Sequence, residues 1–107
     1  MMTSKRLGKL RRELEAMQAS PQGRRSRDFA RLATKLGRQL FGGGNHPNYV
    51  RTEAPAFFPV SIPNHTGDMP TGTARSIIES LLNDCDEWEL WLVENEAKEH
   101  EEHDDSD

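Results

Sequence analysis

Leu40-Phe41-Gly42-Gly43-Gly44-Asn45-His46-Pro47-Asn48-Tyr49-Val50-Arg51 sets three consecutive glycines between two short stretches that suit extended chain. Glycine reaches backbone conformations closed to other residues, so the run predicts a tight bend joining neighbouring strands. Arg38 to Phe41 then forms the first strand and Pro47 to Thr52 the second. Side chains alternate along a strand, which places Tyr49 and Arg51 on the face opposite Val50. The same bend presents His46. Unobstructed glycine N–H groups can approach an anion closely, and an imidazole exchanges protons near neutrality. Taken alone, the combination is more often a plain hairpin turn beside an inert histidine than a catalytic one.

Downstream, Glu53-Ala54-Pro55 makes a connection and Phe57 to Ile62 resumes extended chain, with Pro59 predicting an edge position or a bulge. Pro63 to Pro70 is a loop rich in helix breakers. His65, within it, is expected to hold the loop by a side-chain hydrogen bond. A helix follows from Thr71 or Thr73 to Leu82, burying Ala74, Ile77, Ile78, Leu81 and Leu82. Asp84 with Glu87 three residues on resembles a capping box, which predicts a separate fourth helix with Trp88, Trp91 and Leu92 on one side.

Upstream, Ser26 is the expected N-cap of a helix carrying Phe29, Leu32, Ala33 and Leu36 on one face and stopped by Gly37. Before it, Leu7, Leu10, Leu14 and Met17 recur at helical spacing between Ser4 and about Gln18, with Lys5, Arg6, Lys9, Arg11 and Arg12 outside that stripe. The expected architecture is α+β: a small three-stranded antiparallel sheet packed with helices on one face, with N-terminal and C-terminal helical extensions. Residues 1–23 form a basic amphipathic helix and linker, residues 24–93 the α-β-β-β-α domain with its terminal helix, and residues 94–107 an acidic tail expected to be frayed or disordered.

The 107 residues suffice for one domain with a small core. No apolar run approaches the roughly 18 residues a membrane span requires. The basic N-terminus lacks the apolar segment of an export signal, and the one cysteine, Cys85, has no internal disulfide partner. Both features predict a cytoplasmic protein. Charge is strongly segregated: the first 51 residues carry 12 Lys/Arg against 3 Asp/Glu, net +9, and the last 56 carry 2 against 15, net −13. A cationic half attracts polyanions through counterion release, so nucleic acid is the expected partner at one end. The acidic end is either solvated or shields the basic face.

Two stretches together resemble the HicA family, the small toxin RNases of HicA/HicB toxin-antitoxin pairs. Asp28-Phe29-Ala30-Arg31-Leu32-Ala33-Thr34-Lys35-Leu36-Gly37, followed by Gly44-Asn45-His46 with Tyr49 and Arg51, looks like the family's glycine-terminated helix, strand, Gly-Ser-His turn and second strand. Ser61-Ile62-Pro63-Asn64-His65 and then Gly72-Thr73-Ala74-Arg75-Ser76-Ile77-Ile78 resemble its Val-Pro-x-His strand end and Gly-Thr-Leu-Arg-Ser-Ile helix start. The resemblance covers roughly Asp28 to Leu82. It implies a fold similar to double-stranded RNA-binding domains, cleavage of mRNA, neutralisation by a HicB-like antitoxin, and a catalytic role for His46. Asn45 stands where the family has serine, and Pro47 follows the histidine at once.

On this reading His46 is a general base toward a ribose 2′-OH or a general acid toward the leaving 5′-oxygen, with the second role open to water, substrate or His65. Arg38, Arg51 and Arg75 can hold phosphate, Tyr49 can stack on an unpaired base, and Gly44 and Asn45 can line the phosphate path. The plainer alternative has Tyr49 covering the sheet and the arginines solvated. No cofactor is expected. A metal would have to recruit His46, His65 and Asp68, or His100 and His103, and neither set has the spacing of a known site. The alternative to an endoribonuclease toxin is a non-catalytic RNA-binding or protein-interaction module on the same fold.

Overall fold

The structure, a computed structural model, describes residues 1–42, 44 and 46–105, with side chains described through Asn95. Its elements run α1 (Ser4–Ala19), α2 (Ser26–Lys35), β1 (Gln39–Phe41), β2 (Asn48–Arg51), β3 (Phe57–Ser61) and α3 (Thr71–Asp105). This is the expected α+β architecture with an open three-stranded antiparallel sheet in the order β1-β2-β3.

Thr3 starts α1 by accepting the Arg6 N–H on its hydroxyl, which satisfies one of the helix's orphan donors. Leu7, Leu10, Leu14 and Met17 are all buried, each worth roughly 1.5–3 kcal/mol of apolar burial. They join a single core with Phe29, Leu32, Ala33 and Leu36 of the second helical segment and with Ile77, Ile78, Leu81 and Trp88 of α3. Arg11 reaches from α1 to Asp86 and Glu89 of α3, at 3.0 Å each. The N-terminal helix is therefore bolted to the domain by its apolar face and by Arg11, with Lys5, Arg6, Lys9 and Arg12 left on the outside.

The N-cap of α2 is Arg25 rather than the expected Ser26, and the Asp28 carboxylate accepts the Arg25 N–H at 2.8 Å. Gly37, at φ 95°, closes the helix in the left-handed region. The backbone there favours glycine, and a Cβ would also stand 2.5 Å from Arg51 Nη1, so the guanidinium would have to shift. The Leu36 carbonyl, orphaned at the helix end, accepts the Trp88 indole N–H at 2.8 Å.

In the sheet, Leu40, Tyr49 and Val60 lie opposite one another across the three strands, as do Phe41, Asn48 and Ser61. The second row is exposed; Tyr49 and Val60 of the first pack against the core. Between Tyr49 and Arg51 the two steps of β2 match three on β3, from Phe57 to Val60. The extra residue is a bulge containing Phe58 and Pro59, on an edge strand, where a missing proline donor is tolerated.

The helix that follows differs from expectation. No fourth helix begins at Asp84: α3 continues through it to Asp105. The Asp84 carboxylate does not cap a helix start but turns sideways to the Arg38 guanidinium, which removes the reason for a break. The expected frayed tail falls mostly on residues whose side chains, and at 106–107 whose backbone, lie outside the described residues. Among the described residues no helix is long and apolar enough to cross a membrane.

Candidate nucleic-acid interface

Three segments converge at one end of the sheet: the glycine turn, the loop after β3 and the first turn of α2. Ile62 N–H donates to Pro47 O at 3.1 Å, continuing the β2–β3 ladder past the strand ends. Pro47 itself is buried and precedes the first residue of β2, so its missing N–H falls outside the assigned strand. Asn64 Nδ2 donates to Gly44 O at 3.2 Å. His46, exposed, lies between these two attachments. Gly44 is exposed with φ 86°, a conformation that favours glycine. Asn45, with Gly43, lies outside the described residues.

The loop is fastened to α2 by Ser26. Its hydroxyl donates to Pro63 O at 2.7 Å and accepts the His65 backbone N–H at 2.9 Å. This is why Ser26 does not cap the helix. Met69 N–H donates to Arg24 O at 2.7 Å, and the main chains of Arg25 and Asp68 form an isolated antiparallel β-bridge. The loop is thus held through the backbone of His65. Among the described residues the imidazole has no hydrogen-bond partner, contrary to the side-chain anchor expected from sequence.

Between loop, helix start and sheet lies a cleft of about 710 Å3, walled by Arg25, Arg27, Tyr49, Ile62, Asn64 and His65. Arg25, Arg27 and His65 are exposed, whereas Tyr49 is half-buried. Tyr49 packs against the core and shows part of its surface to the cleft. His46 stands beside this cleft and not in its wall. Sequence reasoning missed Arg25 and Arg27; the signal available was their position at the start of a helix, where backbone N–H groups also favour anions.

Two of the expected phosphate ligands are placed elsewhere. Arg38 is only 4% exposed. Its Nε and Nη2 donate to the two Asp84 oxygens at 2.6 and 2.8 Å, and Nη1 donates to Tyr49 O and Phe58 O at 2.7 Å each. The Phe58 carbonyl lies in the bulge and the Tyr49 carbonyl on the strand opposite, so the guanidinium replaces hydrogen bonds the ladder loses there. Its Cζ also lies 5.1 Å from the Phe57 ring centre. Burial pushes the Asp84 carboxyl above its ordinary value, and the Arg38 hydrogen bonds pull it back. Arg38 is an interior residue and cannot meet phosphate.

Arg51 is similarly engaged. Its Nε, Nη1 and Nη2 donate to Pro55 O, Gly37 O and Ala54 O at 2.9, 3.2 and 3.2 Å. Its Cζ lies 4.7 Å over the Trp88 ring. Tyr49 and Arg51 do share a face, but it is the face turned to the helices. Arg75, in the first turns of α3, is exposed and stands outside the cleft walls. Cys85 is fully buried and its thiol is pushed up to about 11 by burial, which leaves almost no thiolate at neutral pH. Among the described residues no three His, Cys, Asp or Glu side chains gather as metal ligands.

The fold and this site define a small α+β domain with one exposed imidazole on a stapled turn and a second at a cleft with two arginines. The family model for the HicA toxin of bacterial toxin-antitoxin systems matches residues 26–81, more than half of the chain. The chain belongs to the HicA toxin family and is a toxin of a toxin-antitoxin system, with a cognate antitoxin as its partner. Neither the curated proteins nor the solved structures contain a match.

Proposed function

We propose that the protein is a cytoplasmic, metal-independent endoribonuclease that cleaves mRNA, with His46 as its proton-transfer residue and a HicB-like antitoxin covering the His46 face. Membership of a toxin family of RNases supports the reaction class. The observation that carries the role of His46 is its position: exposed, on a turn fastened at Gly44 and Pro47 to the loop that walls the cleft. A neutral imidazole there takes the proton of a ribose 2′-OH; the 2′-oxygen attacks phosphorus and the 5′-oxygen departs. Gly44 lines the phosphate path, Tyr49 flanks a base, and Arg75 adds charge at the start of α3. Arg38 and Arg51 support the sheet that carries them.

The test is expression of wild type and His46→Ala in parallel. Wild type is expected to arrest growth and yield RNA ends with 2′,3′-cyclic phosphate, unaffected by chelator, and His46→Ala to abolish both. Harmless growth of both, with RNA binding retained, would instead make the chain a non-catalytic RNA-binding module. Undiminished cleavage by purified His46→Ala would remove the histidine from the mechanism.

A further inference from the structure

Transesterification of RNA moves two protons, one from the 2′-hydroxyl and one to the 5′-oxygen. His46 supplies a group for only one of them. The loop after β3 brings a second imidazole to the same end of the sheet. Asn64 is bonded to the glycine turn at Gly44 O, and His65 is the next residue. Its backbone is clamped by Ser26, while its ring is exposed, has no hydrogen-bond partner among the described residues and lines the cleft. A ring held in place through its main chain, with no hydrogen-bond partner among the described residues, differs from the anchor its loop position suggests. The cleft it lines also carries Arg25 and Arg27, the exposed guanidinium groups available once Arg38 and Arg51 are known to be engaged inside the fold.

We propose that His65 is a second catalytic residue, the general acid that protonates the departing 5′-oxygen, and that Arg25 and Arg27 hold the phosphates of the strand lying in the cleft beside it. This rests on the reading of His46 as the base. Neutral His46 accepts the 2′-OH proton as the 2′-oxygen bonds to phosphorus. Protonated His65 gives its proton to the 5′-oxygen as the P–O5′ bond breaks. The products are a 2′,3′-cyclic phosphate and a 5′-hydroxyl, and solvent exchange restores both imidazoles. The substrate implied is single-stranded RNA threaded between the α2 N-terminus and the loop after β3, since the cleft's tyrosine and two arginines suit an unpaired base and its flanking phosphates.

The experiment compares wild type, His65→Ala and His46→Ala, as purified full chains, on an oligoribonucleotide cut by wild type and on the same sequence with sulfur replacing the bridging 5′-oxygen at the mapped scissile phosphate. A thiolate departs without being protonated, so general acid catalysis is dispensable on the second substrate. His65→Ala is expected to lose about 10²–10⁴-fold on ordinary RNA and to recover close to the wild-type rate on the sulfur substrate. His46→Ala should remain defective on both. Wild-type rates for His65→Ala on ordinary RNA overturn this inference and leave His46 standing. Equal loss on both substrates also overturns it, because collapse of the loop produces that result. A wild type inert on both substrates ends the ribonuclease reading itself.

Discussion

Arg38 and Arg51 on the helix side of the sheet contrast with Arg25 and Arg27 at the cleft. All four belong to the basic half of the chain, and local sequence does not distinguish them. In the folded protein the first two donate to an internal carboxylate and to main-chain carbonyls, whereas the second two are exposed along a groove. A count of cations thus overstates the charge offered to nucleic acid. Packing α1 against α3 also brings the basic and acidic halves side by side, and Arg11 with Asp86 and Glu89 shows them partly neutralising each other.

The contrast is tested most severely at Asp84. Removing the carboxylate in Asp84→Ala leaves the Arg38 charge buried without its partner, at an expected cost of about 3–5 kcal/mol, read from urea denaturation. A loss below about 1 kcal/mol would mean that Arg38 turns outward on losing Asp84, so that its interior placement is weakly determined. At Arg51 the expected effect is smaller. Arg51→Ala orphans the carbonyls of Gly37, Ala54 and Pro55 and exposes the Trp88 ring, but these groups lie close enough to solvent for water to take over in part. About 1–3 kcal/mol of stability should be lost, with the salt dependence of RNA binding unchanged. A flatter salt dependence in Arg51→Ala would return this residue to the phosphate-binding surface.

Much of the fold was legible because it is written in local periodicity. The apolar stripes of both N-terminal helices, the glycine stop at Gly37 and the extended runs around the glycine turn each carry their own signal within a few residues. Pro59 even marked the edge strand and its bulge. What could not be read locally depended on distant partners. Asp84 and Glu87 imitate a helix start, and only Arg38, 46 residues away, shows why the helix runs on. Ser26 imitates an N-cap, and only the loop after β3 shows why its hydroxyl is used elsewhere. The site divides in the same way. His46 stands out by its neighbours along the chain, but the cleft of Arg25, Arg27 and His65 exists only after two segments some 40 residues apart are laid together.

The smallest expected effect on the fold, and the most informative about the surface, belongs to Arg25→Gln and Arg27→Gln. Both side chains are exposed, and the cap of α2 uses the Arg25 main-chain N–H, which the substitution retains. Stability should therefore stay within about 0.5 kcal/mol of wild type. RNA binding should weaken across sequences, and the slope of log K against log salt should become shallower by about 0.7 for each single-strand phosphate that is no longer neutralised. Combining the two substitutions should change the slope by the sum, because two guanidinium groups at separate phosphates release their counterions independently. If the slope is unmoved by both but responds to charge removal at Lys5, Arg6, Lys9 or Arg12, the RNA lies along the outer face of α1. The cleft at Arg25 and Arg27 would then lose its standing as the phosphate path, since a strand on that helix runs along the other basic surface of the molecule.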